Sequence, residues 1–411
     1  MAMQSGSVDL KLRERAAKVV PGGMWGHQNA DRLPAGYPQF FARGKGCRVW
    51  DADDREYIDF MCAWGPIVLG HADPDVNRIV DEWRAMGADC LDGPGKPMVE
   101  LAELLVETVP SADWALFAKN GTDATSICVT LARAETAKRK VLVARGAYHG
   151  AAMWCTPSPA GIVADDRAHL VQYDYNDEAS LEAAVEAAGG DLAAILVSAF
   201  RHDHARDQEM PTRTFANAAR ALATRKGAAL IVDDVRAGFR INIGGSWEEV
   251  GVRADLSAWS KAIANGQPLA AVTGSDRFRE AATRIFTTGS FWYSPIPMAA
   301  AVATITKLKD IDGIAHMRAM GERFRAGMLE QSARHGIGLR HTGPASMPMM
   351  LFDDDSNFEK GSLFCQATLA AGVFLHPTHN MFISCAHQAA DIDLALEATE
   401  KGFKALASRY G

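Results

Sequence analysis

Gly227-Ala-Ala-Leu-Ile-Val-Asp-Asp-Val235 is the segment from which the architecture of this 411-residue chain follows. Its five consecutive apolar residues, opened by a glycine and closed by two carboxylates, are typical of a buried parallel strand. Ligands bind at the carboxyl ends of strands in open α/β sheets, so Asp233 and Asp234 are predicted to lie at a site. Their side chains point to opposite faces of the strand, and only one can address a given ligand. A helix cap or a structural salt bridge is the alternative.

Lys261 follows Asp233 by 28 residues and is the only charged residue between Asp255 and Asp276. Burial takes the hydration from an ammonium group, lowers its pKa and favours the neutral amine that forms Schiff bases. The alternative is a lysine at the solvent end of an apolar segment. A carboxylate such as Asp233 suits the Asp role opposite a pyridoxal phosphate ring, because it keeps the pyridinium nitrogen protonated.

Two further motifs precede this pair. Asn120-Gly-Thr122 stands at the start of a predicted helix, and the free N–H groups of a helix start bind phosphate readily. The segment Lys140–Gly150 predicts a strand that ends in Tyr148-His149-Gly150, and Tyr148 has the shape to stack on a flat ring. An ordinary helix cap and an aromatic residue that only packs are the alternatives.

The motifs Asn-Gly-Thr, Tyr-His-Gly, Asp-Asp-Val and Ser-Lys-Ala-Ile-Ala-Asn-Gly, in that order, resemble the class III aminotransferases of the type I pyridoxal-phosphate fold. The resemblance covers nearly the whole chain. Val20–Gly23 and Ala63–His71 are similar in particular to glutamate-1-semialdehyde aminomutase and its relatives. The resemblance implies an α/β fold, with a large domain built on a mostly parallel sheet and a small α/β domain at the C-terminus.

The same resemblance implies that the cofactor is pyridoxal 5'-phosphate. Lys261 is then the catalytic residue, which forms the Schiff base and later moves the proton between substrate and cofactor. Asp233 pairs with the ring nitrogen, and Tyr148 and Val235 pack on the two ring faces. The other implied cofactor contacts are Asn120, Gly121, Thr122, His149 and Ser290.

Ser290 replaces a threonine that, in the family, reaches the phosphate from the neighbouring subunit. Since the hydroxyl is retained, the resemblance implies an obligate homodimer with its active site at the interface.

The implied reaction moves an amino group from an amine donor to a keto acid such as pyruvate. Likeness to one family member extends this to a bulky or long-chain donor that lacks an α-carboxylate. The side chains predicted to line the substrate site are Trp25, Trp64, Phe200, Arg201, Phe291 and Trp292. For each aromatic residue, core packing is the alternative. The candidates for anchoring the acceptor carboxylate are Arg32, Arg201 and Arg236.

Two other functions stay open. An aminomutase or an amino-acid racemase of the same family would use the same lysine and aspartate. A regulatory module that only binds the cofactor is disfavoured, because no helix-turn-helix or basic extension is appended.

The chain departs from its relatives after the segment Ala193–Ser198. Most of the family has a Glu-Pro-containing loop there, whereas this chain has Phe200-Arg-His-Asp-His204. The loop is interpreted as a substrate-pocket wall, a solvated polar loop, or a metal site formed by His202, Asp203 and His204. No further ligand lies near in sequence, so no metal is predicted.

Composition narrows the class of protein. A net charge of −7 with mixed signs argues against nucleic acid, and no polybasic stretch or uninterrupted apolar span indicates a membrane. Seven cysteines without Cys-x-x-Cys spacing indicate reduced thiols, and the N-terminus lacks a signal-peptide core, so a cytoplasmic location is predicted. The predicted divisions are an arm with part of the small domain (1–64), the large cofactor-binding domain (65–305) and the small C-terminal domain (306–411).

Overall fold

The structure is a computed structural model that describes residues 7–26, 29 and 33–411. Its strands are β1 (Phe41–Lys45), β2 (Arg48–Asp51), β3 (Glu56–Asp59), β4 (Trp114–Ala118), β5 (Lys140–Ala144), β6 (Leu170–Tyr173), β7 (Leu192–Ser198), β8 (Ala229–Asp233), β9 (Leu256–Trp259), β10 (Ala270–Gly274), β11 (Leu339–Thr342), β12 (Met349–Phe352) and β13 (Val373–Phe374). Its helices are α1 (Val8–Val19), α2 (Pro74–Ala85), α3 (Lys96–Thr108), α4 (Gly121–Thr136), α5 (Glu178–Ala188), α6 (Arg213–Lys226), α7 (Arg279–Arg284), α8 (Pro295–Asp310), α9 (Gly313–His335), α10 (Glu359–Ala370) and α11 (Ala389–Tyr410).

A seven-stranded sheet in the order β4-β10-β9-β8-β7-β5-β6 forms the central layer. The pairs that join β6, β5, β7, β8 and β9 are all parallel, while β10 runs antiparallel to both β9 and β4. The prediction of a mostly parallel sheet is therefore confirmed. Because β8 lies between β7 and β9, its carboxyl end opens in the middle of the sheet edge.

Both faces of the sheet are covered, which explains the unbroken apolar run of β8. Ala229 and Ile231 pack with residues of α4, whereas Leu230 and Val232 pack with residues of α5 and α6. Since side chains alternate along a strand, Asp233 lies on the α4 side and Asp234 on the opposite side. Asp233 is therefore the carboxylate that lies on the same side of the sheet as the helix start at Asn120.

A second sheet, in the order β1-β2-β3-β13, joins the two ends of the chain. β13 pairs with β3 in parallel, with Val373 opposite Ile58 and Phe374 opposite Asp59. The hairpin of β11 and β12 forms a third, two-stranded sheet, and α11 packs against both α9 and α10. The domain divisions at 64/65 and 305/306 stay a prediction.

Within the described part of the chain, no helix is both long and apolar enough to cross a membrane. The seven cysteines, all of them described, are unpaired.

Candidate active site

The carboxylate at the end of β8 is buried and paired with an imidazole. Asp233 Oδ2 lies 2.7 Å from Nδ1 of His149, and Oδ1 accepts a 3.1 Å hydrogen bond from the Val235 N–H. His149 is buried too, and Thr125 of α4 donates a 2.7 Å hydrogen bond to its backbone carbonyl. A carboxylate oxygen has two lone pairs, so Asp233 retains acceptor capacity for a further N–H group.

The start of α4 is built for close approach. Asn120 caps the helix, since its Oδ1 accepts a 3.1 Å hydrogen bond from the Asp123 N–H, and Asp123 bonds back to the Asn120 N–H. A Cβ at Gly121 would lie 2.6 Å from Cγ1 of Val235, so only glycine fits. The Thr122 hydroxyl accepts a 3.1 Å hydrogen bond from the Ala151 N–H. The N–H groups at such a helix start are suited to hold an anion between β4 and α4.

Lys261 stands immediately after β9, where it begins the helical turn Lys261–Ala264. Its backbone is left-handed, with φ 51°, a conformation that non-glycine residues adopt rarely and mostly at functional sites. Burial and the charge of Arg236, against the opposing effect of Asp233, together lower the pKa of Lys261 to about 7. Much of the amine is therefore neutral at neutral pH, which is the form that attacks a carbonyl.

Gly65 lies directly beside this lysine. A Cβ on Gly65 would lie 3.4 Å from Cδ of Lys261 and 2.9 Å from Cε1 of Phe382, so a side chain there would press on both. The neighbouring Trp64 packs edge-on against His376 and His379, at ring distances of 5.5 and 4.9 Å. Of the predicted substrate residues, Trp64 is thus the one that directly precedes the glycine beside Lys261.

Tyr148 and Ser290 occupy more open positions. Tyr148 is 43% exposed, its pKa is raised mainly by partial burial, and the charges of Arg236 and Asp233 also act on it. It therefore belongs to the same cluster. Ser290 is exposed, and its backbone carbonyl accepts a 3.2 Å hydrogen bond from Sγ of Cys90. No described contact joins Ser290 to the cluster within one protomer.

The other predicted substrate residues lie in different surroundings. Phe200 is fully buried and packs edge-on against His202 at 5.2 Å, so it lies in the core, and its contact with substrate stays a prediction. Arg201 forms a 2.8 Å ion pair with Glu209. Trp25 and Phe291 are 70% and 69% exposed.

Trp292 is partly buried and packs with the core cluster around α4. Arg32 lies outside the described residues.

Arg236 is in the cluster, and its partners come from a segment that the sequence reasoning did not assign to the site. Its Nη1 donates to Oδ1 of Asn380 and lies 3.2 Å from Nε2 of His379. The segment 376–382 has no periodicity that marks it as functional. Its residue content offers one signal, which is two histidines and an asparagine within five residues.

The loop after β7 also reaches the cluster. The pKa of His202 lies well below its usual value because of burial and because the charges of Arg236 and Lys261 act on it. Among the described residues, no group of three His, Cys, Asp or Glu side chains could bind a metal. This placement supports the pocket-wall interpretation of the loop.

Comparison with known proteins decides the family. A sequence model described as "Aminotransferase class-III" matches residues 33–401. The chain belongs to this family. The prediction of the class III resemblance, and with it the expectation of a pyridoxal-phosphate-dependent transaminase, is confirmed.

Two named relatives of this aminotransferase cover nearly its full length. The chain is 48% identical over 404 residues to the aminopentol aminotransferase of Sphingopyxis macrogoltabida, which covers 98% of this chain and 96% of that protein. It is 32% identical over 394 residues to the 3-aminobutyryl-CoA aminotransferase of Cloacimonas acidaminovorans, with 95% of each protein covered. Both relatives are aminotransferases, so the aminomutase or racemase alternative is not favoured.

A solved structure gives the same result for the fold. The FumI protein of Sphingopyxis sp. MTA144, in its PLP internal aldimine form, superposes with a TM-score of 0.97 at 47% identity and 98% coverage of both chains. The expected type I fold is therefore confirmed. The sequence resemblance to the aminotransferase that deaminates hydrolysed fumonisin also holds, and it rests on Pro21–Met24, Phe200–His202, Ser290–Tyr293 and His376–Phe382.

Proposed function

We propose that this aminotransferase takes the amino group from a long-chain amine without an α-carboxylate and passes it to a keto acid such as pyruvate. The observation that carries the catalytic part is the meeting of Lys261, the Asp233–His149 pair and the tight start of α4 at one sheet edge. The 48% identity to an aminopentol aminotransferase supports the donor class.

The residues present fit pyridoxal phosphate. Asp233 would accept a hydrogen bond from the ring nitrogen, with His149 behind it, and the close contact of Gly121 and Val235 would leave a flat slot for the ring. Tyr148 would cover the other ring face. The phosphate would bind the N–H groups at the start of α4, near Asn120 and Thr122. When bound, the cofactor supplies an electron sink for the carbon that loses its proton.

Lys261 has two tasks in this proposal. Its neutral amine would hold the cofactor covalently, and the same amine, once free, would hold and move the proton at the donor carbon. Asp233 would face the ring nitrogen with a carboxylate that His149 and the Val235 N–H hold in place by hydrogen bonds.

We also infer that the protein is a homodimer in which Ser290 reaches the phosphate of the neighbouring protomer. The segment around Ser290 is apolar and open to solvent in a single chain. Phe286 and Phe291 are 93% and 69% exposed, and Leu91 lies exposed on the facing loop. Exposed apolar surface of this kind marks a protein interface. A cytoplasmic location is part of the proposal and is supported by the seven unpaired cysteines.

Absorbance and product analysis test the catalytic part of the proposal. The purified protein with pyridoxal phosphate is expected to show a visible absorbance band that Lys261→Ala lacks. A long-chain 2-amino alcohol should then change the band and yield a ketone by mass spectrometry, and pyruvate should restore the band and yield alanine. A wild-type protein that stays colourless with added cofactor, or a donor that gives no ketone, would contradict the proposal.

A further inference from the structure

Arg236 is a half-buried arginine whose guanidinium group has no acidic partner within ion-pair distance. Both of its hydrogen bonds leave from Nη1, toward Oδ1 of Asn380 and Nε2 of His379. Its Nε is buried and has no acceptor. Across the described ranges, no carboxylate forms an ion pair with Arg236 within 4.0 Å. The edge made by Nε and Nη2, with which arginine contacts carboxylates in a bidentate way, is therefore unengaged.

Both groups that contact Arg236 are neutral. Nδ1 of His379 lies 2.7 Å from the Asn380 carbonyl, to which it donates, so Nε2 presents a lone pair to the guanidinium. Burial, together with the charge of Arg236, lowers the pKa of His379 well below its usual value. Asp233, the carboxylate at the end of β8, forms its hydrogen bonds with His149 and the Val235 N–H instead. The positive charge thus lacks a directly paired counter-ion, and the charge of Asp233 acts on it only from beyond ion-pair distance.

The other arginines near the loops have different surroundings. Arg240 is also buried, but it donates hydrogen bonds to the carbonyls of Ile383, Gly65 and Ile67 at 2.6 to 2.8 Å, so it ties backbone segments together. Arg201 has Glu209 as its counter-ion. The charges of Arg236 and Arg240 both lower the pKa of Lys261, and Arg236 differs because its contribution is the larger, second only to burial.

We propose that Arg236 binds the carboxylate of the keto-acid acceptor and is the residue that makes the enzyme choose a keto acid over an aldehyde. In the resting site Asn380 and His379 hold the guanidinium in place. The incoming carboxylate supplies the missing counter-ion on the Nε and Nη2 edge. The inference rests on the proposed function. Because the proposed donor has no carboxylate, Arg236 would bind a substrate only in the second half-reaction, in which the keto acid accepts the amino group.

Separate measurement of the two half-reactions tests this assignment on the holoenzyme. In Arg236→Gln, the KM for pyruvate is expected to rise about 10- to 100-fold, the usual worth of a hydrogen-bonded charge pair. The half-reactions with the long-chain amine and with propanal as acceptor report how the lost charge affects Lys261, and the rise in the KM for pyruvate should exceed any change in these two at least about tenfold. Arg236→Lys keeps the charge without the planar fork and should fall between. The exposed Arg318→Gln is the control for loss of one positive charge.

Asn380→Asp gives an independent variant that leaves Arg236 in place. The new carboxylate has the shape of the amide it replaces. It would form an ion pair with the guanidinium group and so supply a counter-ion from the protein itself. The KM for pyruvate should then rise as in Arg236→Gln, and at least about tenfold more than any change for propanal. A titration of the holoenzyme with acetate, followed by the cofactor absorbance, should show saturable binding in wild type and none in either variant.

Three results would overturn the assignment. The first is an unchanged KM for pyruvate in a folded Arg236→Gln protein. The second is an equal slowing of the amine, propanal and pyruvate half-reactions, with a shifted pH midpoint of the absorbance band. That pattern would assign Arg236 to the phenolic oxygen of the cofactor instead. The third is a raised KM in Arg201→Gln and not in Arg236→Gln. If the amine leaves the absorbance unchanged in wild type, the proposed function fails, and the acetate titration still reports on Arg236.

Discussion

The edge of the central sheet and the loops that face it are built in different ways. At the sheet edge, Asp233 ends β8, Lys261 follows β9 and Gly121 begins α4, so each position is set by the strand beside it. On the loop side, Trp64, His202 and the segment 376–382 come from three distant parts of the chain. The edge carries chemistry that a whole family shares. The loops are free to change with the substrate, because no strand register depends on them.

The largest expected effect concerns the pH dependence of Lys261. A surface lysine has its pKa near 10.5, so at pH 7.5 the lowered pKa of about 7 gives Lys261 roughly 10³-fold more neutral amine. The rate of cofactor uptake by apoprotein should rise with pH and level off above pH 7. At each pH, the uptake rate is divided by the rate at which butylamine reacts with free pyridoxal phosphate. This division corrects for the titration of the cofactor itself. A rate that keeps rising to pH 10 would show that the edge does not tune this amine.

The two adjacent carboxylates of the edge should differ sharply. Asp233→Asn keeps the shape and removes the charge beside the ring nitrogen, so kcat should fall about 10²- to 10³-fold, as for loss of one preorganised electrostatic contact. Asp234 faces the other side of β8 and accepts a 3.1 Å hydrogen bond from the Ser246 N–H. Asp234→Asn is therefore the matched control, and steady-state kinetics should show nearly unchanged kcat. Equal losses in both variants would remove the distinction between the two faces.

The close contact of Gly121 with Val235 predicts a smaller effect, a loss of stability that depends on both residues. Gly121→Ala would place a methyl group 2.6 Å from Cγ1 of Val235, and the unfolding free energy of the apoprotein should fall by about 1–3 kcal/mol. The double variant with Val235→Ala removes the opposing methyl groups and should recover part of the loss. Denaturant unfolding measures all three proteins. Purely additive losses would mean that the close approach is not what requires glycine.

The smallest expected effect on stability lies on the loop side. Trp25 is largely exposed, so Trp25→Ala should change the unfolding free energy by no more than about 0.5 kcal/mol. If Trp25 contacts the donor, kcat/KM should fall for a long-chain amine and stay constant for isopropylamine. A change of several kcal/mol in stability would instead place Trp25 in a packed interface.

The sequence predicted the edge of the sheet well because its signals are local. An apolar run closed by Asp233, a lone lysine in an uncharged segment and a capped helix start each carry a fixed structural meaning. Phe200 could not be separated from a substrate residue, because burial depends on what packs from elsewhere in the chain. The contact of Arg236 with His379 and Asn380 joins residues more than 140 positions apart, and no pattern in one sequence encodes that pairing.

The pairing of β13 with β3 also affects how the protein is made. Phe382 donates a 2.7 Å hydrogen bond to the Phe60 carbonyl, and Phe60 donates one of 3.2 Å to Phe374, so the strand that leads to Trp64 and Gly65 is completed from residues 374–382. During translation, β3 therefore waits with an open edge while some three hundred residues emerge from the ribosome. We expect nascent chains that stop before residue 373 to expose this edge and to depend on chaperones until the last strand arrives.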